Sequence, residues 1–148
     1  LGAGGIATGG QVLACLAMGA QGAWLGTLWM AAQESHTPPA LLARLIAGGS
    51  EDTVITRAHS GKPCRVIRSE WIDAWAEPDA PQPLGMPAQQ ALTGAAFTAM
   101  HEHDDPRAIY EAAGQSVFAI ERETSVAAQM RELVAQAEAR WRELCAGA

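Results

Sequence analysis

The alternation of apolar and polar positions along the chain predicts a mixed α/β protein that opens with a strand, a helix and a second strand. Residues 1–6 are predicted to form the end of a buried strand. Apolar side chains then recur at helical spacing over residues 12–17, with Thr8 at the N-cap position. Gly19 is predicted to end this helix in a left-handed conformation, and residues 23–25 to form a second short buried strand.

Beyond this opening unit, the pattern predicts helices separated by short turns and one hairpin. Two β-rich segments, 53–56 and 64–67, are joined by a Ser-Gly-Lys-Pro turn and are predicted to pair. Thr37 and Ser69 are expected to cap the helices that follow them. The predicted helical segments are a turn over 28–34 and helices over 40–47, 70–75, 88–100, 107–113 and 124–144.

Composition limits the partners and the setting that we expect. The chain has 148 residues, of which 49% are hydrophobic, and this is enough for one domain with its own core. Its net charge of −6 and the lack of a basic run argue against a nucleic-acid partner. No segment is apolar over a length that spans a bilayer. Three cysteines (Cys15, Cys64 and Cys145) without metal or redox spacing favour a reducing, cytoplasmic setting.

Glycines at the two strand ends predict a phosphate site. Gly4 and Gly5 lie between the first strand and its helix, and Gly26 with Thr27 ends the second strand. Backbone N–H groups near a helix N-terminus hold phosphate well, and glycine allows close approach. In (β/α)₈ barrels the loops after strands seven and eight often form such a site. The spacing G-x-G-x-x-G is absent, which argues against a dinucleotide fingerprint. A tight turn without a ligand is the alternative.

The first residues indicate that the chain starts partway through a fold. Leu1 is not preceded by Met or by a charged leader, and it begins as if inside a strand. We therefore expect the natural protein to start upstream and this chain to be its C-terminal part. Residues 1–36 are expected to be the last βαβ part of a barrel with the phosphate site. Residues 37–148 are expected to be a mostly helical extension with a short hairpin, packed on the same domain.

Six segments together resemble one known family. They are AGGIATG at 3–9, MGAQG at 18–22, WLGT at 24–27, DTVITR at 52–57, SGKPCR at 60–65 and AGQSV at 113–117. This series resembles the FMN-dependent nitronate monooxygenases, also called 2-nitropropane dioxygenase-like proteins, a family that includes related enoyl-reductase flavoproteins. The resemblance touches most of the chain.

The resemblance implies a fold, a cofactor and an activity. The fold would be the C-terminal portion of a (β/α)₈ TIM barrel, with the end of strand seven, helix seven, strand eight and C-terminal helices. The activity would be oxidation of alkyl nitronates, which are small anions, with dioxygen. The FMN phosphate would be held by Gly4, Gly5, Trp24, Leu25, Gly26 and Thr27.

Some positions depart from the family pattern or lie outside it. Glutamine is common in the family where Trp24 stands. The family's catalytic histidine lies in an upstream Gly-His segment that this chain does not contain. We therefore assign no catalytic residue, and we expect the chain alone to be inactive. Two alternatives stay open: an enoyl-reductase-type flavoenzyme that uses NAD(P)H, and a non-catalytic helical interaction module. The oligomeric state is left open.

Several polar and aromatic residues have competing interpretations. The segment 101–105, HEHDD, contains metal-ligand types, but its spacing favours a polar helix end, and no metal is expected. His59 and the basic residues of the hairpin could either face an anionic substrate or form a surface edge; those basic residues are Arg57, Lys62 and Arg65. Trp71 and Trp75 share a helical face and favour core packing.

Overall fold

The structure, a computed structural model, describes residues 1–147 as a mixed α/β chain. The strands are β1 (Gly2–Ala3), β2 (Ala23–Trp24), β3 (Thr53–Thr56) and β4 (Cys64–Ile67). The α-helices are α1 (Gly9–Ala17), α2 (Pro39–Ala47), α3 (Glu70–Ala74), α4 (Ala88–Glu102) and α5 (Val126–Ala146). Short 3₁₀ turns occupy Thr27–Ala31, Gln33–Ser35, Ser50–Asp52 and Gln115–Ala119. Residues 28–34, predicted as helical, therefore form tighter 3₁₀ turns.

The opening strand, helix and strand form a parallel βαβ unit, as predicted. β1 pairs with β2 in parallel, with Ala3 opposite Trp24. Thr8 caps α1 in a capping box, in which its hydroxyl accepts from Gln11 N while the Gln11 side chain accepts from the Thr8 amide. Gly19, at φ +94°, turns the chain out of α1. The cap at Thr8 and the turn at Gly19 thus set the two ends of α1, and with them the path by which the chain returns to β2.

Helix α5 packs directly against the start of α1. Gly9 is buried, and its amide donates to Gln136 Oε1 at 2.8 Å. A Cβ on Gly9 would lie 2.6 Å from Gln136 Cβ and would collide with the Leu133 carbonyl oxygen. The two helices therefore meet at backbone distance, and only glycine permits this approach. α5 starts at Ser125, whose hydroxyl accepts from Ala128 N, one residue after the predicted 124.

The hairpin of β3 and β4 forms as predicted, and a third segment extends it. β3 and β4 are antiparallel, with Val54 opposite Val66. Val66 also bridges Ala112, and Ile67 N donates to the Glu111 carbonyl at 3.0 Å. The predicted helix over 107–113 is therefore wrong. After a turn at 106–108, residues 109–113 run beside β4, where the Ala113 amide donates to the Arg65 carbonyl and Ile109 and Tyr110 are buried.

Helix α2 is capped from a distant part of the chain. The Thr37 hydroxyl donates to the Met30 carbonyl at 2.6 Å, so the prediction that Thr37 caps α2 is wrong. The Asp104 carboxylate accepts instead from Ala40 N at 2.9 and 3.0 Å. Asp104 follows α4, so this bond ties α4 to α2. Ser69 caps α3 as predicted, accepting from Ile72 N.

The core lies between α2, the hairpin and the 3₁₀ turn at Gln115–Ala119. Trp71 and Trp75 pack against it as an edge-to-face pair at 6.2 Å, which confirms the core interpretation of these two residues. Burial, followed by the charge of Glu111, raises the pKa of Tyr110 to about 12. The largest fully buried side chains are Leu41, Leu45, Val66, Ile67, Gln89, Ile109, Tyr110 and Val117.

Two expectations from the sequence concern membrane-spanning helices and the three cysteines. No helix within residues 1–147 is both long enough and apolar enough to cross a bilayer. Cys15, Cys64 and Cys145 are free thiols, of which only Cys145 is classed as exposed. Burial, with a smaller effect of Glu111, raises the pKa of the Cys64 thiol, which argues against a reactive thiolate there.

The contact of α5 with α1 gives a matched pair of variants. We expect Gly9→Ala to lower the free energy of unfolding by about 1–3 kcal/mol, because the added methyl group meets the backbone of α5. Gly10→Ala is the control, since its Cβ would meet nothing closer than Thr8 Oγ1 at 4.0 Å. Denaturant unfolding of the intact protein measures both. Equal stability of the two variants would contradict the close packing.

Candidate anion-binding pocket

A pocket of about 230 Å³ lies where the ends of β1 and β2 meet. Five of the six residues that the sequence assigned to the phosphate site line this pocket. Leu25, the sixth, instead lines a separate apolar cavity between β2, α1 and α5. Trp24 lines both cavities and is 66% exposed, so it stands at the rim. The pocket is lined by Gly4, Gly5, Ile6, Trp24, Gly26, Thr27, Gly114 and Ser116.

Three of the four glycines that line the pocket, those at the strand ends, are glycines for different reasons. Gly4 and Gly5 have φ of +87° and +70°, so the backbone itself requires glycine there. Gly26 has φ −118°, a value that any residue adopts, and a Cβ there would meet no atom within 4 Å. Neither backbone strain nor protein packing therefore explains glycine at position 26. Its missing side chain keeps the pocket open.

Unused backbone donors accompany these glycines. Within residues 1–147, the amides of Gly5, Gly26 and Thr27 form no hydrogen bond with the protein. The first turn of α1 differs, because Gln11 Oε1 accepts from Ala7 N at 2.8 Å and Gln136 Oε1 accepts from Gly9 N. Donors for an anion are thus available at the strand ends, whereas most amides at the helix N-terminus that the sequence suggested are already paired.

A segment remote in sequence forms the third side of the pocket. Gly114 N donates to Thr27 Oγ1 at 2.9 Å, although the two residues are 87 positions apart. Ser116 follows in the 3₁₀ turn and also lines the pocket. In the sequence analysis, this segment had no place in the phosphate site. The one feature of the sequence that could have pointed to this segment was the resemblance of AGQSV, at 113–117, to a family segment.

The pocket has no formal charge of its own. None of its eight lining residues carries an ionisable side chain. The groups with clearly shifted pKa values, which are Cys64, Asp105 and Tyr110, lie elsewhere. The pKa of Asp105, for example, is lowered chiefly by a hydrogen bond from the Arg107 amide. Any anion in this pocket is held by backbone and hydroxyl dipoles.

The hairpin residues considered for substrate binding lie outside this pocket. Arg65 Nη1 donates to the Thr53 carbonyl at 3.0 Å and so braces the hairpin. His59 Nδ1 lies 3.3 Å from Tyr110 Oη, and its ring packs edge-on against Phe97. Arg65 and His59 thus have structural partners. Arg57 and Lys62 also lie outside the lining.

The polar segment after α4 is used structurally. Asp104 caps α2, as described above. His101 Nδ1 lies 3.0 Å from the Phe97 carbonyl oxygen, which only accepts, so Nδ1 carries the hydrogen. Across residues 1–147, no group of three or more His, Cys, Asp and Glu side chains is arranged to hold a metal ion.

Comparisons with known proteins place the chain in a family. The family model of nitronate monooxygenases matches residues 1–136. A protein of Mycobacterium tuberculosis that carries the name monooxygenase is 45% identical over 115 residues, which are 78% of this chain and 28% of that protein. A Staphylococcus aureus protein assigned as a nitronate monooxygenase is 35% identical over 114 residues, which are 77% of this chain and 32% of that protein. The chain belongs to the nitronate monooxygenase family.

Solved structures agree with this placement. The nitroalkane oxidase of Streptomyces ansochromogenes is similar over 96% of this chain and 40% of its own, with 31% identity and a TM-score of 0.82. FabK of Thermotoga maritima covers 99% of this chain and 46% of its own, also with a TM-score of 0.82. Its identity is 24%, so this second likeness concerns the fold alone. The chain spans about a third of the length of the curated relatives cited above.

The bond between Gly114 and Thr27 can be tested directly. We expect Thr27→Val to lower the free energy of unfolding by about 1–3 kcal/mol, because the Gly114 amide loses its acceptor. Thr27→Ser keeps the oxygen and serves as the control. Denaturant unfolding, together with amide hydrogen exchange at Gly114, measures the effect. Equal exchange rates in the two variants would show that this bond does not hold the segment.

Proposed function

We propose that this chain is the C-terminal part of a flavin-dependent oxidoreductase. Residues 1–36 would supply the end of strand seven, helix seven and strand eight of a (β/α)₈ barrel, and residues 37–148 an extension packed on it. The parallel pairing of β1 with β2 across α1 supports this proposal, because successive units of such a barrel are built in this way. The likeness to the nitroalkane oxidase over 96% of the chain also supports it.

The cofactor in this proposal is FMN, with its phosphate in the pocket. Gly4, Gly5, Gly26 and Thr27 would surround the phosphate, and Trp24 would stand at the rim. Leu25 could contribute through its backbone only, because its side chain faces the apolar cavity. The observation that carries the proposal is Gly26, a glycine that neither strain nor packing requires and that opens the pocket beside unused amides.

The reaction that we propose is oxidation of an alkyl nitronate with dioxygen. FMN would supply the electron transfer, as flavins do. The residues of this chain would bind and orient the cofactor, and we assign none of them to catalysis. A small anionic substrate agrees with the names of the relatives, which include a nitronate monooxygenase and a nitroalkane oxidase.

A second candidate is an enoyl-reductase-type flavoenzyme that uses NAD(P)H. The shared fold with FabK favours keeping it, since the same phosphate pocket would serve either chemistry. A non-catalytic helical module is disfavoured, because residues 1–136 match an enzyme family and the pocket keeps unused donors.

Assays of the full-length protein separate these candidates. We expect the purified protein to carry yellow flavin that chromatography identifies as FMN, and to consume dioxygen when an alkyl nitronate is added. NAD(P)H oxidation with an enoyl thioester, but no oxygen uptake with nitronates, would support the second candidate. A colourless protein that binds no added FMN would reject both flavoenzymes.

Substitution of Gly26 tests the pocket. We expect Gly26→Val in the full-length protein to weaken FMN binding about tenfold or more, because the side chain fills the phosphate space and one lost hydrogen bond to a charged group costs about 1.5–3 kcal/mol. Gly94→Val is the control, since Gly94 has equally open surroundings in α4, away from the pocket. Fluorescence titration with FMN measures both. Equal affinities would remove Gly26 from the site.

A further inference from the structure

Ser116 is held in the pocket wall from both sides. On one side, the Gly114 amide bonds to Thr27 Oγ1 at 2.9 Å. On the other, Ser50 Oγ donates to the Gln115 carbonyl at 2.9 Å, and Val117 is fully buried in the core. Because its neighbours on each side are anchored, the position of Ser116 is fixed rather than adaptable. A fixed hydroxyl is suited to directional hydrogen bonding.

The hydroxyl of Ser116 lacks a partner in the protein. The residue is 5% exposed and lines the pocket with Gly26 and Thr27. No hydrogen bond to Ser116 Oγ is formed within residues 1–147. Its Oγ is not among the enclosed side-chain atoms without a partner in that range, so it keeps accessible surface on the pocket that the residue lines. The hydroxyl is therefore a free donor that a ligand in the pocket can reach.

We propose that Ser116 is a phosphate ligand, and that its hydroxyl donates a hydrogen bond to the FMN phosphate held between the two strand ends. This proposal rests on the proposed function. A phosphate oxygen accepts such a bond without proton transfer, and charge assistance strengthens it. A pocket without charged side chains has only backbone amides, hydroxyls and the Trp24 indole N–H to offer, so one hydroxyl forms a substantial part of its donor set.

As a phosphate ligand, Ser116 would favour FMN over a flavin that lacks the phosphate. Riboflavin shares the flavin ring system and the ribityl chain with FMN but lacks the phosphate, so a bond from Ser116 contributes to FMN binding alone. A residue that only supported the wall would affect both ligands equally. The ratio of the two affinities therefore separates a ligand from a structural residue.

The test compares Ser116→Ala with wild type in the full-length protein. Apoprotein is titrated with FMN and with riboflavin by flavin fluorescence. We expect the Kd for FMN to rise about tenfold, equivalent to about 1.4 kcal/mol, and the Kd for riboflavin to stay unchanged. The ³¹P resonance of bound FMN is also expected to move. Ser60→Ala is the control, because it removes a hydroxyl from the hairpin turn, outside the pocket lining and away from the segment that holds Ser116.

The outcomes distinguish this proposal from the one on which it depends. A parallel loss of affinity for both ligands, or no loss for either, would overturn the role of Ser116 while the phosphate pocket stands. The same holds if Ser60→Ala changes the affinity ratio as much as Ser116→Ala does. Wild-type protein that binds riboflavin as tightly as FMN would instead overturn the phosphate pocket itself.

Discussion

The parallel pairing of β1 with β2 is the interaction on which the rest of the pocket depends. It consists of only two residue pairs, yet its register puts Ala3 opposite Trp24 and so sets the Gly4–Gly5 turn beside Gly26. So short a pair is weak by itself. The contact of α5 with α1 supports it, because α1 connects the two strands and α5 meets α1 at backbone distance through Gly9.

A loop position can need glycine because its φ is positive or because the space beside it must stay open. The glycines of this pocket differ in this respect. Gly4 and Gly5 satisfy a backbone with positive φ and would be needed whether or not a ligand binds. Gly26 adopts an ordinary φ in open space, so neither the backbone nor the packing of the protein requires its missing side chain. Counting the glycines at the strand ends therefore gives Gly4 and Gly5 too much weight as indicators of a ligand pocket, and Gly26 too little.

Features with local causes could be predicted from the sequence. The capping box of Thr8 and Gln11, the left-handed Gly19 and the hairpin turn at Gly61 each depend on residues within a few positions. The parallel strand ends were predicted as well, because a short βαβ connection leaves few arrangements. The family resemblance came from six segments spread over most of the chain.

The predictions that were wrong or incomplete share one cause, which is contact between residues far apart in the sequence. Residues 107–113 have a helical pattern, but β4 offers them backbone partners that no local signal reveals. Thr37 has the right chemistry for a cap, yet Asp104 reaches α2 from 64 positions away. Gly114 and Ser116 were missed as pocket residues for the same reason, since their neighbour Thr27 lies 87 positions earlier. Tertiary contacts override local preference at these places.

The pocket wall is built from segments far apart in the sequence, and this determines when the pocket can form during translation. Its first residues leave the ribosome early in the synthesis of this segment, whereas the Gly114 amide that fastens Thr27 follows 87 residues later, and α5 later still. Until then the two strand ends lack both their third wall and the helix that braces α1. The complete three-sided pocket therefore forms only when translation of this segment is nearly finished.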